Sequence, residues 1–297
     1  MVVDTHRSID ASVGRGGINQ PSDVRLVQSL LNRFLTPQAE KLHIDGSIGP
    51  KTIAAIKEFQ FAVVGNHHPD GRVDAGGKTL RYLSDTAKIH KVLTTRTRLP
   101  TPSKPTVLTG NDLKQAAKTL HCEVACIYAV ADVESVGNGF LPSGRPKILF
   151  EAHIFSRFTH HRFDNINPRV SSASWDPSLY RGGEQEYERL KSAMILNRAA
   201  ALKSTSWGRF QMMGFHYSSS GLGTLELFIQ AMFESEAKQL EAFVHFLQHQ
   251  RLDGDLRAKR WTAFAEHYNG PGYASNQYDQ KLKAAYAKQH KKELRLK

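Results

Sequence analysis

No stretch of this 297-residue chain approaches the roughly 20 apolar residues that a membrane-crossing helix needs. Cysteine is scarce, with only Cys122 and Cys126, which excludes a disulfide framework. The pair lies four apart on what reads as one helix, a spacing that predicts buried free thiols and not a bridge. His121 is adjacent in sequence, but neighbours on a helix point about 100° apart, so a cysteine nucleophile has weak support. The start, Met1-Val2-Val3-Asp4, carries no basic region followed by an apolar core. No secretory signal is therefore expected, and the chain is made and left in the cytoplasm unless something else exports it. Among 14 histidines there is no His-Glu-x-x-His. The pairs His67-His68 and His160-His161 are adjacent, and adjacent side chains do not readily chelate one ion, so neither a metal nor a cofactor is expected.

Charge is present in excess and unevenly spread. The net +12 sits at the two ends. Residues 1–109 hold 15 Lys/Arg against 9 Asp/Glu, residues 281–297 hold 7 against 1, and residues 110–280 are balanced at 18 against 18. Basic surfaces concentrate near polyanions such as nucleic acid, lipid headgroups or a bacterial wall, although a solvated face with no partner is an equal reading of charge alone. The chain has neither zinc-finger spacing nor an RNA-binding aromatic signature, so no nucleic-acid partner is expected.

Helical periodicity organises the first third. Over residues 18–35, Val24, Val27, Leu30, Leu31 and Phe34 share one face, with Ser22 as N-cap. A second helix follows Gly49-Pro50, with Ile53, Ile56 and Phe59 inward and Pro50 at its first position. Ile44-Asp45-Gly46-Ser47-Ile48-Gly49 forms a glycine turn between them. A related pattern, Asp70-Gly71 and then Gly76-Gly77-Lys78-Thr79-Leu80, leads into a third short helix through Leu83. Residues 8–86 thus form a small helical domain with two similar Asp-Gly turns. Residues 87–110 are expected to be a linker, extended where Pro100, Pro102 and Pro105 cluster between Thr97 and Thr106.

A second, mostly helical domain spans residues 111–297. Leu113, Ala116, Ala117 and Leu120 mark one helix, and Val124, Ile127, Val130 and Ala131 another. Further helices are expected at Ala152–Phe158, 184–202, 224–249 and 255–268. The last 20 residues read as a basic helix with Tyr278, Leu282 and Tyr286 on one stripe. Residues 159–183 are polar and aromatic without a clear period. Glu134 lies 3, 4 and 7 residues after Ala131, Val130 and Ile127, so it continues a buried helix face. Gly137 and Gly139 then end the helix. Low dielectric and the negative end of the helix dipole both favour a protonated carboxyl, as a general acid requires. A Glu134 swung into solvent or paired with an arginine is the alternative from this segment alone.

The stretch from Asp45-Gly46 through Gly49-Pro50, Thr52, Ala55-Ile56 and Phe59-Gln60 resembles the peptidoglycan-binding domain carried by many wall hydrolases, a three-helix module. Its matched glycines, proline and apolar residues specify a fold and not a ligand contact, so a three-helix spacer that binds nothing is the alternative. Downstream, Glu134-Ser135, then Gly208-Arg209-Phe210-Gln211-Met212, then Tyr268-Asn269-Gly270-Pro271-Gly272 resemble the three signatures of the lysozyme-like fold. Gly137-Asn138-Gly139-Phe140, Arg145-Pro146-Lys147-Ile148-Leu149-Phe150-Glu151-Ala152-His153-Ile154-Phe155 and Ser206-Trp207-Gly208 bring the likeness closer to the N-acetylmuramidases of phage endolysins. Arg209 stands where an apolar residue is more usual. The resemblance implies that Glu134 protonates the glycosidic oxygen. It also implies that Ser135, Ser206, Trp207, Gln211, Tyr268 and Asn269 line the cleft. Trp207 and Phe210 are sugar platforms in that scheme, though aromatics in a helical domain more often pack in the core. Glu151 is the candidate second carboxylate, with an anchor for Arg145 or a backbone N–H as its other use. Asp132 points off the Glu134 face by about 200° and is a poor candidate.

The resulting expectation is a mostly α protein: a small three-helix peptidoglycan-binding domain at 8–86 joined to a larger lysozyme-like domain at 111–297. The resemblance implies a monomeric endolysin that cleaves between N-acetylmuramic acid and N-acetylglucosamine, made in the host cytoplasm and reaching the wall after a membrane-permeabilising partner acts. The basic tail 281–297 meets outer-membrane or wall anions, or is an ordinary solvated helix. Two rivals remain: a lytic transglycosylase leaving 1,6-anhydro ends, and a non-catalytic wall-binding or virion structural protein.

Overall fold

Helices carry most of this chain, and two Asp-Gly turns set the first three of them. A computed structural model describes residues 8–34, 41–102, 104, 106–134, 137–270, 273–274 and 276–295, with residue 269 as backbone only. The chain divides into two compact units. The first combines Met1–Arg98 with Phe150–Arg181 and Gln185–Ala201. The second combines Leu99–Leu149, Gly182–Glu184 and Leu202–Lys297.

In the first unit, helices run over Pro21–Phe34, Pro50–Phe59 and Lys78–Ser84. Val24, Val27, Leu30, Leu31, Phe34, Ile56, Phe59, Leu80 and Leu83 form its core. The first helix opens on Pro21, not behind a Ser22 cap. Val24 N–H donates to the Gln20 carbonyl, and proline's fixed φ suits the first helical position. Ile53 is only partly buried, and Thr52 and Ala55 take the inward positions beside Ile56 and Phe59. Short strands at Val13–Gly14 and Arg72–Val73 pair antiparallel.

The two turns are held the same way. Gln28 Nε2 donates to Asp45 Oδ1 (2.9 Å) and the Ser47 carbonyl (3.1 Å), while its Oε1 accepts from Gly46 N–H (3.1 Å). Gln60 repeats this on Asp70 Oδ1 (2.7 Å), the Arg72 carbonyl (2.9 Å) and Gly71 N–H (2.9 Å). Gly46 and Gly71 have φ of 81° and 76°, which side-chain-bearing residues rarely adopt.

Thr86–Thr97 is helical, its start capped by Asp85 Oδ1 accepting from Lys88 N–H (2.9 Å). This helix occupies the first half of the segment read as a linker, and among the described residues no helix or strand follows until Gly110. Also in the first unit, Phe61 meets Phe163 edge-on at 4.9 Å, and Asn167 Nδ2 donates to the buried Glu58 (3.1 Å). Ala152–Phe158 is a helix, as its pattern predicts. The helical stretch Glu186–Lys203 breaks at Asn197, whose side chain caps the continuation by accepting from Ala200 N–H.

The first two helices of the second unit are Gly110–Leu120, its start held by a Thr109/Asp112 capping box, and Val124–Glu134. His121 adopts a left-handed conformation between them, so Cys122 precedes the second helix instead of sharing it with Cys126; both thiols are free. The segment read as one helix over 224–249 is two, Leu225–Glu234 and Glu236–His249. Ser235 is extended between them and its hydroxyl caps the second. Likewise Asp253–Arg257 and Trp261–Asn269 are separated at Lys259, which has φ of 57°. The basic helix Tyr278–Arg295 packs Leu282 inward against Val124–Glu134. No helix among the described residues is long and apolar enough to cross a membrane.

Candidate active site

Helix Val124–Glu134 is apolar almost all round, burying Ala125, Cys126, Ile127, Ala129, Val130 and Ala131. Glu134 is its last residue and is half-buried, on the face that the sequence assigns to it. Its charge reaches two phenols. Burial first, and then the Glu134 carboxylate, push Tyr268 well above the usual tyrosine range. The same two causes raise Tyr278. The structure thus brings Glu134 and Tyr268 together and adds Tyr278. Sequence reasoning saw Tyr278 only as the head of an apolar stripe.

The Ser206–Met213 motif folds as a hairpin. Strands Thr205–Trp207 and Met212–Met213 pair antiparallel, in one sheet with Ile148–Phe150. Gly208 and Gln211 close the turn with φ of 70° and 47°. At this φ a side chain on Gly208 would be strained, and its Cβ would stand 2.5 Å from the Gln239 amide, which would have to shift. Ser206 Oγ donates to Gln211 Oε1 (2.9 Å), and Gln211 Nε2 donates to the Gly208 carbonyl (2.8 Å). Tyr268, on helix Trp261–Asn269, donates its hydroxyl to the Phe210 carbonyl next to Gln211. Tyr268 thus ties helix Trp261–Asn269 to the hairpin turn, and its phenol lies where the Glu134 charge is felt.

Trp207 and Phe210 are each 0% exposed. Trp207 donates its indole N–H to the Leu202 carbonyl (3.2 Å), and Phe210 stacks on Phe243 at 4.5 Å. Neither offers a face on which a sugar could stack, so both belong to the core of this unit. Ser135, Pro271, Gly272 and the side chain of Asn269 lie outside the described residues. Gly270 has φ of 75°, consistent with a sharp turn after the helix.

Arg209 is integrated and not merely tolerated. Its guanidinium donates to the Gly137 carbonyl and stands 3.6 Å from both Asp132 and Glu236. The fully buried Glu236 accepts from the N–H groups of Gly139 and Leu108. This cluster holds the backbone at Gly137 and Gly139.

Glu151 belongs to the first compact unit. Its Oε2 accepts from the Tyr180 hydroxyl (2.7 Å) and lies 3.3 Å from His153 Nδ1. Burial raises its carboxyl above the ordinary range, partly offset by the Tyr180 hydrogen bond and the Arg189 charge. Arg145 pairs with Glu184. Among the described residues no group of three or more His, Cys, Asp or Glu is placed to hold a metal ion.

Comparison with known proteins supports the order of these motifs. The peptidoglycan binding domain model matches residues 20–76, and the N-acetylmuramidase model matches residues 123–290. No curated protein matches the chain. Among solved structures, the chain is similar to one described as the crystal structure of Burkholderia AP3 phage endolysin. The two are 36% identical over 93% of this chain and 97% of that one, with a TM-score of 0.57. Glu134, the Ser206–Met213 hairpin and Tyr268 all fall inside the longer matched span, and the chain belongs to the N-acetylmuramidase family of glycoside hydrolases.

Proposed function

We propose that this protein is an endolysin that hydrolyses the β-1,4 bond between N-acetylmuramic acid and N-acetylglucosamine in peptidoglycan, with Glu134 as the general acid. The observation that carries this reading is the half-buried Glu134 at the end of an apolar helix, its charge felt by Tyr268 and Tyr278. The similar solved protein is itself described as an endolysin.

Glu134 donates its proton to the glycosidic oxygen as the C1–O bond breaks, leaving a free hydroxyl on the departing sugar. Water adds to C1 and returns a proton to the carboxylate, so the product carries a reducing end. Ser135, Ser206, Gln211, Tyr268 and Asn269 line the cleft in this scheme. Trp207 acts from within the core, holding the hairpin. The carboxylate of Glu151 already accepts from Tyr180, and the proposal assigns it to substrate binding instead of proton transfer.

The protein is read as a monomer with two modules. Residues 8–86 hold it on the wall, residues 87–110 connect, and residues 111–297 cut. Holding the second module near its substrate raises the local concentration without new contacts. It acts after leaving the host cytoplasm through a permeabilised membrane.

Glu134→Gln is expected to abolish turbidity loss of permeabilised cells while leaving the circular dichroism spectrum unchanged. Normal lysis by that variant would overturn the assignment. Mass spectrometry of the muropeptides released by the wild type is expected to show reducing ends. Products lighter by one water, with 1,6-anhydro ends, would replace hydrolysis by transglycosylation.

A further inference from the structure

The chain has three tryptophans. Trp207 and Trp261 are buried, while Trp175 is 60% exposed. One exposed aromatic is ordinary and by itself implies nothing. What sets Trp175 apart is how it is held. Its indole N–H donates to the Tyr180 hydroxyl (2.8 Å), and that hydroxyl donates to Glu151 Oε2 (2.7 Å).

The support extends beneath Tyr180. Arg189 lies 5.7 Å from the centre of its ring, pairs with the buried Glu186 (2.8 Å) and donates to the Phe150 carbonyl (2.9 Å). Glu186 also accepts from Arg181 N–H (2.6 Å). Asp176 Oδ1 accepts from both the backbone N–H and the hydroxyl of Ser178, fixing the loop between the two aromatics. All of these residues belong to the first compact unit. The polar edge of the indole is thus pinned to a supported network while much of the ring stays in water.

Ordering a large side chain costs free energy, and among the described residues no packing repays it for the exposed part of this ring. Carbohydrate chemistry does. A pyranose presents a C–H face that covers an aromatic ring, and its hydroxyl and acetamido groups at the rim require hydrogen-bond partners. Here the ring edge leads through one phenol to a carboxylate.

We propose that Trp175, held through Tyr180 to Glu151, is a sugar-stacking subsite for one N-acetylhexosamine unit of a β-1,4-linked glycan. The subsite rests on the peptidoglycan reading for its ligand but not on Glu134 for its binding. It uses Glu151 as a partner for the rim groups of the sugar.

The test uses the full chain carrying Glu134→Gln, titrated with the N-acetylglucosamine hexamer. Because the other two tryptophans are buried, acrylamide quenching reports mainly on Trp175. Bound oligosaccharide is expected to shift emission to the blue and reduce quencher access. Calorimetry is expected to show Trp175→Ala weakening the hexamer about tenfold, and Trp175→Phe retaining most of the affinity. With Glu134 intact, Trp175→Ala is expected to raise KM for wall fragments while kcat falls much less. Unchanged quenching at millimolar hexamer, or wild-type affinity in Trp175→Ala, overturns the subsite. Lysis by Glu134→Gln instead overturns the catalytic assignment and leaves the binding result standing.

Discussion

Ser206 donates its hydroxyl to the side-chain carbonyl of Gln211 at 2.9 Å, and that bond decides which way the Gln211 amide faces. With Oε1 occupied, Nε2 turns to the Gly208 carbonyl at 2.8 Å. Ser206 is itself buried on a strand, so it acts as a fixed point. Ser206→Ala leaves the hairpin backbone intact and frees the amide to rotate. A neutral hydrogen bond contributes about 1 kcal/mol, so kcat/KM is expected to fall about fivefold. Turbidity kinetics on wall fragments measure it. A value equal to wild type would mean that Gln211 orientation does not matter to the reaction.

Glu58 introduces a pH dependence into the first unit. Burial pushes its carboxyl up to about 7 from an ordinary 4.5, against the opposing Asn167 hydrogen bond. The folded state therefore holds this proton more tightly than the unfolded chain. Its contribution is fully present below about pH 4.5 and is lost as pH rises through about 7. Over that window the loss is on the order of 3 kcal/mol. Glu58→Gln removes the ionisation and keeps an acceptor for Asn167. Melting temperatures from pH 5 to pH 8 are expected to fall for the wild type and stay flatter for the variant. Parallel profiles would contradict the assignment.

What was legible in the sequence is what depends on neighbours along the chain. The apolar stripe of Val24, Val27 and Leu31, the Asp-Gly turns and the burial of Ile127, Val130 and Ala131 all follow from local periodicity. Glu134, Gln211 and Tyr268 stand out as candidates because three short motifs occur in order. Breaks that leave the periodicity uninterrupted were missed, as at Ser235 and Lys259, where a single residue's backbone ends a helix. The hairpin around Gly208 has strands of three and two residues, too short for alternation to register. Trp175 and Tyr180 lie in a stretch without period, and Tyr180 meets Glu151 across 29 residues, a relation that only tertiary packing creates.

The basic C-terminal helix packs against the helix that bears Glu134, and its proposed contact with wall anions must be tested separately from that packing. Leu282 is buried, Tyr286 donates to Glu123 (2.6 Å) and Gln289 donates to Asp132 (2.9 Å). Tyr278, at its first residue, feels Glu134. Truncation at residue 280 would therefore disturb the helix that bears Glu134 along with the charge. Lys288, Lys291 and Lys292 are exposed, and replacing all three with glutamine removes charge alone. Retention on anionic wall material at low salt is expected to weaken, and its salt dependence to become shallower, with turnover of soluble fragments little changed. Unaltered salt-dependent retention would make this an ordinary solvated face.

Arg209 offers the last test, because an arginine stands where an apolar residue is more usual. Its guanidinium lies 3.6 Å from Asp132 Oδ1 and 3.6 Å from Glu236 Oε1, and also donates to the Gly137 carbonyl. Glu236 is fully buried, and its two oxygens are committed to the N–H groups of Gly139 and Leu108. Arg209→Met would remove the guanidinium from beside that carboxylate. Removing one member of a buried pair costs about 3–5 kcal/mol, and the 3.6 Å spacing with partial exposure places this case toward the lower end. The variant is expected to melt several degrees lower. It is also expected to lose more kcat than substrate affinity, because Gly137, three residues beyond Glu134, loses its anchor. Arg209→Lys keeps the charge but not the planar fork, so it should recover stability more fully than turnover. Equal melting temperatures and rates for the methionine variant and the wild type would show that the cluster packs around Glu134 without holding it.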